Sequence, residues 1–233
     1  MRVFIACNNE GRWDFPEAEL LILNGDLVNV FPKPPKPIHD SIAYRVAADE
    51  TASALNDFGL YKSGRTEGKM FKEFMDGLFR GEYSLEAKGL YREELKSGLE
   101  KLQMPTILVH GNLDFPDIVK SEAEKHDVKY LDCEVHDGIC GIGGIPSSCN
   151  PVYGRFKVFE AERTDDEYIG ILKGMEERCR LLVTHMPFDY YREFEGLLEC
   201  RTVVSAETRG ETNEKVIVPP DYSVTGQGAW ADV

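Results

Sequence analysis

At 233 residues, 42% hydrophobic and 29% charged, the chain is long enough to bury its own core without covalent or metal staples. A formal net charge of −14 repels nucleic-acid phosphates at long range, which disfavours sequence-independent nucleic-acid binding. No apolar run approaches the roughly 18 residues of a membrane span. The opening MRVFIACNNEG offers too short an apolar stretch for a secretory signal.

In chain order, RVFIAC reads as a short strand buried on both faces, because it is apolar without alternation. It ends abruptly in NNEG. The stretch GRWDFPEAE leaves room for little more than a turn before the next apolar run, ELLILNGD. A parallel crossover needs about a dozen residues, so this one is near the minimum. FPKPPKPIHD is the one candidate for a local basic patch and reads as a solvated proline-rich loop. MFKEFMDGLF carries apolar residues at 70, 71, 74, 75, 78 and 79, a helical face. LYREELKSGLEKL places Leu90, Tyr91, Leu95, Leu99 and Leu102 on one helical stripe. PTILVHGNLD and RLLVTHMP repeat the pattern of the first two strands. Between them, ERTDDEYIGILKGMEERC predicts a helix opening at Thr164, with Glu167 three residues on as a capping box. GICGIGGIP does not complete G-x-G-x-x-G and is followed by no helix, so it reads as a tight strand exit. CRTVVSA, KVIVPP and GAWADV read as further strands, the last ones antiparallel. No repeat or linker divides the chain, and one domain over 1–233 is expected. The six cysteines, at 7, 133, 140, 149, 179 and 200, form no CxxC pair. Reduced thiols in a cytoplasmic protein are the expectation.

Four apolar runs share one grammar: a buried strand whose carboxyl end delivers Asn, Asp or His. In open α/β sheets the ligand lies beyond the carboxyl ends of the strands. The residues so delivered are Asn8, Asn9 and Glu10, then Asp26 and Asn29, then Asn112 and Asp114, then His185. Taken singly, Asn and Asp end strands because their side chains make turns. Together, carboxylate, amide oxygen and imidazole make a donor set for a divalent metal.

These motifs resemble those of the calcineurin-like metallophosphoesterases, whose pattern runs D-x-H, G-D-x-x-(D/N), G-N-H-(D/E), a lone His and G-H-x-H. GDLVN matches the second block through Asp26 and Asn29, GNLD the third through Asn112 and Asp114, and LLVTHMP the fourth through His185. IVPPDYSVTGQGAWADV is similar to the family's closing strands. NNEG aligns with the first block, with Asn8 for its Asp and Glu10 for its His. VVSAETRG aligns with the last, with Glu207 and Arg209 for its two histidines, and Leu113 replaces the His of G-N-H-D.

The resemblance implies a four-layer α/β/β/α sandwich of two mixed sheets flanked by helices. It also implies two metal positions, of which this chain rewrites one. The first becomes Asn8, Glu10, Asp26 and Arg209. A guanidinium has no lone pair for a metal, so Arg209 is expected to stand in for the cation and pair with Glu10 and Asp26. The second becomes Asp26, Asn112, His185 and Glu207, all able to coordinate. The expectation is one divalent metal (Mn²⁺, Fe²⁺, Zn²⁺ or Mg²⁺) and hydrolysis of a phosphate mono- or diester, with Arg209 steadying developing charge. Leu113 cannot supply the family's general acid. Asp114, that histidine's partner in the family, is the other catalytic candidate and alternatively a turn cap. A helical insertion over about 32–103 is expected as a cap or partner surface at the site rim. From its start Lys33, Lys36 and His39, with Asn29, would meet an anionic substrate. Partners would be a small phosphorylated substrate or a protein, and the acidic surface is compatible with a homo-oligomer. The alternative is a metal-free, catalytically inactive member that keeps the fold as a binding or assembly module.

Overall fold

The computed structural model describes residues 1–32, 36–146, 162–175, 179–187, 190, 192, 200–205 and 212–232. Strands β1 (Arg2–Cys7), β2 (Leu20–Asn24), β3 (Thr106–Val109) and β4 (Lys129–Tyr130) pair in parallel, and β12 (Ala229–Asp232) pairs antiparallel with β1. The second sheet contains β5 (Glu134–His136), β6 (Ile139–Ile142), β9 (Leu181–Pro187), β10 (Arg201–Ser205) and β11 (Val216–Ile217), in the order β11-β10-β9-β6-β5. Only β5 and β6 are antiparallel there. A short parallel pair joins β7 (Ile145–Pro146) to β8 (Glu162–Arg163).

The two-residue period of a strand decides the layers. Val3, Ile5, Cys7, Leu20, Ile22, Ile107 and Val109 face Ile139, Leu181, Val183, Val203 and Ile217 across the space between the sheets. The alternate residues of the first sheet, Phe4, Ala6, Leu21, Leu23 and Leu108, turn outward into a helical layer. Those of the second, Cys140, Ile142, Leu182, Val204 and Val216, turn towards Tyr168, Leu172 and Met175 of helix 165–175. Every central strand is therefore covered on both faces, which is why its sequence shows no alternation. The result is the α/β/β/α sandwich that the motifs led us to expect.

The first outer layer is largely the 32–103 insertion. It holds α1 (Ile42–Val46), α2 (Ala48–Lys62), α3 (Lys69–Phe79) and α4 (Ser84–Leu99), joined by α5 (Pro116–Lys125). Phe71, Phe74, Met75, Leu78 and Phe79 of α3 and Tyr91, Leu95 and Leu99 of α4 are buried in one cluster with the sheet residues. The insertion is thus a layer of the sandwich rather than a cap on the rim, because its apolar stripes need the sheet's outer face. The expected capping box opens α6 (Asp165–Met175): the Glu167 N–H donates to Thr164 Oγ1 at 3.3 Å, and the Thr164 N–H to Glu167 Oε2 at 2.9 Å. α7 (Tyr222–Thr225) starts at Asp221, whose carboxylate accepts the Val224 N–H.

Two further expectations are corrected. β10 and β11 run parallel to β9, and only β12 among the closing strands is antiparallel. An apolar run does not encode direction, and the connection between β10 and β11 is shorter than most parallel crossovers. Cys140 and Cys179 form a disulfide, with Cα atoms 5.6 Å apart, rather than two free thiols. Cys140 pairs with Leu182 in the sheet, and Cys179 lies just ahead of that strand, so the fold places them side by side. No helix of the described residues is long and apolar enough to cross a membrane.

Candidate metal centre at the strand ends

In-register pairing brings the polar strand ends to one level. Cys7 is opposite Asn24 and Asn24 is opposite Val109, so Asn8, Gly25 and His110 leave the first sheet together. In the second sheet Ile142 is opposite Thr184, which puts His185 one residue further on. Asn24 ties the sheets at this height: its Nδ2 donates to the Thr184 carbonyl at 2.8 Å. The β9–β10 register shifts between Val203 and Ser205, which pair with Val183 and Pro187. The three residues 184–186 therefore oppose the single Val204, a bulge that re-aims the His185 side chain.

His185 and Asp26 are both fully buried, and His185 Nε2 lies 3.6 Å from Asp26 Oδ1, longer than a hydrogen bond. Asp26 Oδ1 accepts the Leu113 N–H at 3.1 Å, which draws the turn bearing Asn112 against the same carboxylate. Two glycines permit this approach. A Cβ on Gly25, whose φ is +77°, would fall within the His185 ring, and a Cβ on Gly111 would collide with the Asp26 carboxylate and backbone. The glycines of G-D and G-N are thus required by close packing as well as by the turn.

The backbone is strained at the same place. Asn8, Glu10 and Asp26 hold φ values of 51°, 40° and 44°, a left-handed region that non-glycine residues seldom occupy. Each such residue costs on the order of 1–3 kcal/mol and persists only where its surroundings enforce it.

Asp114 is committed to the turns. One oxygen accepts the Leu27 N–H at 2.9 Å and the Tyr91 hydroxyl at 2.8 Å; the other accepts the Gly111 N–H at 2.7 Å. Of its two expected roles, the geometry is that of a cap joining the β2 turn, the β3 turn and α4. Burial first, and then the nearby Asp26 carboxylate, push Asp114 up to about 6 against those hydrogen bonds. Leu113 packs against the helical-layer cluster.

Around Glu10 a separate group assembles. The Lys36 ammonium donates to Glu10 Oε2 at 2.7 Å and to the Glu10 carbonyl at 3.1 Å. The Ser223 hydroxyl lies 2.6 Å from Asp221 Oδ1 and 3.1 Å from the same Glu10 Oε2, and its N–H donates to the Asn8 carbonyl at 3.1 Å. Lys36, expected among the substrate contacts, is thus held by the degenerate first position. His39 is largely exposed, with Nε2 3.3 Å from Asp40. Glu207, Arg209 and Lys33 lie outside the described residues.

Sequence reasoning passed over His110 and Ser223. His110 is fully buried, its Nδ1 is 2.8 Å from the Tyr130 hydroxyl, and burial pushes it down to about 4, so it is neutral at neutral pH. Its place at the end of an apolar run, directly before G-N, was a readable signal.

The donor types fit one metal better than two. Among the described residues no group of three or more His, Cys, Asp or Glu side chains could hold a metal. Asp26 and His185 nevertheless adjoin, and Asn112 Oδ1 is buried with no hydrogen-bond partner among the described residues. An unpartnered buried carbonyl oxygen is what a ligand to a hard or borderline cation looks like before binding. The first position fits poorly, because Lys36 already supplies a cation to Glu10.

No protein-family model matches the chain, and no curated protein matches it. Among the solved structures similar in fold, a crystal structure aligns with a TM-score of 0.57 at 14% identity over 95% of this chain and 91% of that one. At that identity the likeness concerns the fold alone.

Proposed function

We propose that this chain is a divergent metallophosphoesterase-like protein that binds one divalent metal and hydrolyses a phosphate mono- or diester slowly. Asp26, Asn112 and His185, with Glu207, would hold the metal. The observation that carries the reading is the convergence of Asp26, His185 and the unpartnered Asn112 oxygen at in-register strand ends of an α/β/β/α sandwich. Once bound, a divalent ion supplies Lewis-acid polarisation of a phosphoryl oxygen and acidifies water.

The chain's own residues do the rest. Asp26 carries the charge that attracts the ion, and the Leu113 N–H fixes one of its oxygens. His185 is aimed by the bulge in β9 and stopped by Gly25. Asp114 keeps the Asp26 and Asn112 turns together through Leu27 and Gly111. Arg209 would steady charge on the transferred group.

The slow rate follows from Leu113. General acid help is worth about 10²–10⁴-fold, and here the family's acid position carries a hydrocarbon packed against the core while Asp114 is occupied as a cap. The same observation favours the second reading, an inactive binding or assembly module. Hydrolysis of an activated phosphodiester with Mn²⁺ separates them. Turnover lost in His185→Ala supports the enzyme, and an inert protein with every divalent ion leaves the module.

A further inference from the structure

The group at Glu10 points to a ligand contact that the metal residues do not make. Lys36 is only 18% exposed and Glu10 3%. The ammonium spends two N–H groups on Glu10, and the third has no partner among the described residues. Asn8 is fully buried, and neither its Oδ1 nor its Nδ2 has a hydrogen-bond partner among the described residues. Leaving such an amide unmatched is costly, so it marks a place where something binds. Ser223 joins the two residues, touching the Asn8 carbonyl with its N–H and the Glu10 carboxylate with its hydroxyl.

We propose that the Lys36 ammonium is the resident cation of the first position, and that it and the Asn8 carboxamide together donate to one oxygen of a phosphate group. A protonated amine has donors only, so Lys36 cannot itself ligate a metal, and its charge on Glu10 Oε2 opposes a second cation at that position. A compact ammonium with a spare N–H, beside an amide N–H, matches the charge and the lone pairs of a phosphate oxygen. Glu10 sets the ammonium in place, and Asn8, lacking the charge of Asp, adds no repulsion. The choice of phosphate rests on the phosphoesterase reading; the position of the cation does not.

The test uses the whole chain and inorganic phosphate as probe, titrated by calorimetry with Mn²⁺ and again in chelator. Lys36→Gln should weaken phosphate binding by about tenfold or more, the usual effect of losing a hydrogen bond to a charged group. Lys36→Arg should stay within about threefold of wild type, and Mn²⁺ uptake should change less than twofold in either variant. Equal phosphate affinity in wild type and Lys36→Gln overturns the proposal, as does absence of phosphate binding or uptake of a second Mn²⁺ by wild type. Failure of wild type to take up any Mn²⁺ defeats the metal reading alone, because the contrast in chelator still decides the role of Lys36. Amine acylation of wild type covers the case of a variant that does not fold. Lys36 should label at least about tenfold more slowly than Lys69, whose side chain is 80% exposed, and more slowly still with phosphate. Equal rates for the two lysines overturn the proposal.

Discussion

Asp114→Asn is the most informative single change in the framework around the site. The wild-type carboxylate satisfies three buried donors, on Leu27, Tyr91 and Gly111. Asparagine can keep the two on one oxygen, but it turns an NH₂ towards the Gly111 N–H. One buried donor is then unmet, which costs about 1–3 kcal/mol near neutral pH. Alanine would leave three unmet, roughly 3–9 kcal/mol, enough to unfold a domain of ordinary stability. The pH dependence carries the sharper test. Asp114 stands at about 6 in the fold, above its ordinary 3.8. The folded state takes up the proton first as pH falls, so this group adds stability below pH 6 and loses it as pH rises through 6. Between pH 7.5 and 5 the gain is about 1.4 kcal/mol, one pKa unit's worth. His110 has the opposite slope. It stands at about 4 against an ordinary 6.5, so its contribution is full above 6.5 and shrinks as pH falls towards 4, by about 2 kcal/mol at pH 5. The two slopes largely cancel in wild type and cannot cancel in Asp114→Asn. Urea unfolding in chelator should therefore show the gap between the proteins widening by about 1.4 kcal/mol from pH 7.5 to pH 5. A constant or narrowing gap would mean that the hydrogen bonds, not burial, govern Asp114, and the reasoning would fail.

Two further outcomes are expected. Gly25→Ala places a Cβ within the His185 ring at a φ of +77°; it should destabilise by about 2 kcal/mol or more and weaken Mn²⁺ binding at least tenfold, as read by urea unfolding and equilibrium dialysis. Alkylation of denatured, unreduced protein should label Cys133 and leave Cys140 and Cys179 unlabelled until a reductant is added, as read by peptide mass.

The sandwich was legible because its cause is local. An apolar run without alternation must be covered on both faces, and four of them ending in Asp, Asn or His imply one shared edge. Thr164 and Glu167 likewise announced their own helix start. What the sequence withheld depends on partners far along the chain. The three donors to Asp114 come from Leu27, Tyr91 and Gly111, on three different elements. Lys36 meets Glu10 only because the turns after β1 and β2 run side by side, with the Glu10 N–H on the Asp26 carbonyl at 2.8 Å. Strand direction was withheld too, since the apolar residues of β10 and β11 would serve either sense. Between β1 and β2, where a parallel crossover usually carries a helix, Trp13 and Phe15 pack against the helical-layer cluster instead. Gly98 accommodates Trp13, for a Cβ there would overlap the indole. That substitution needs α4, which lies far downstream.

The most direct test of the central claim is the number of Mn²⁺ ions bound per chain, counted by equilibrium dialysis on chelator-stripped protein and on His185→Ala. One ion per wild-type chain, lost or weakened at least a hundredfold in the variant, is the predicted result. Two ions per chain, none, or one that His185→Ala leaves in place would contradict it.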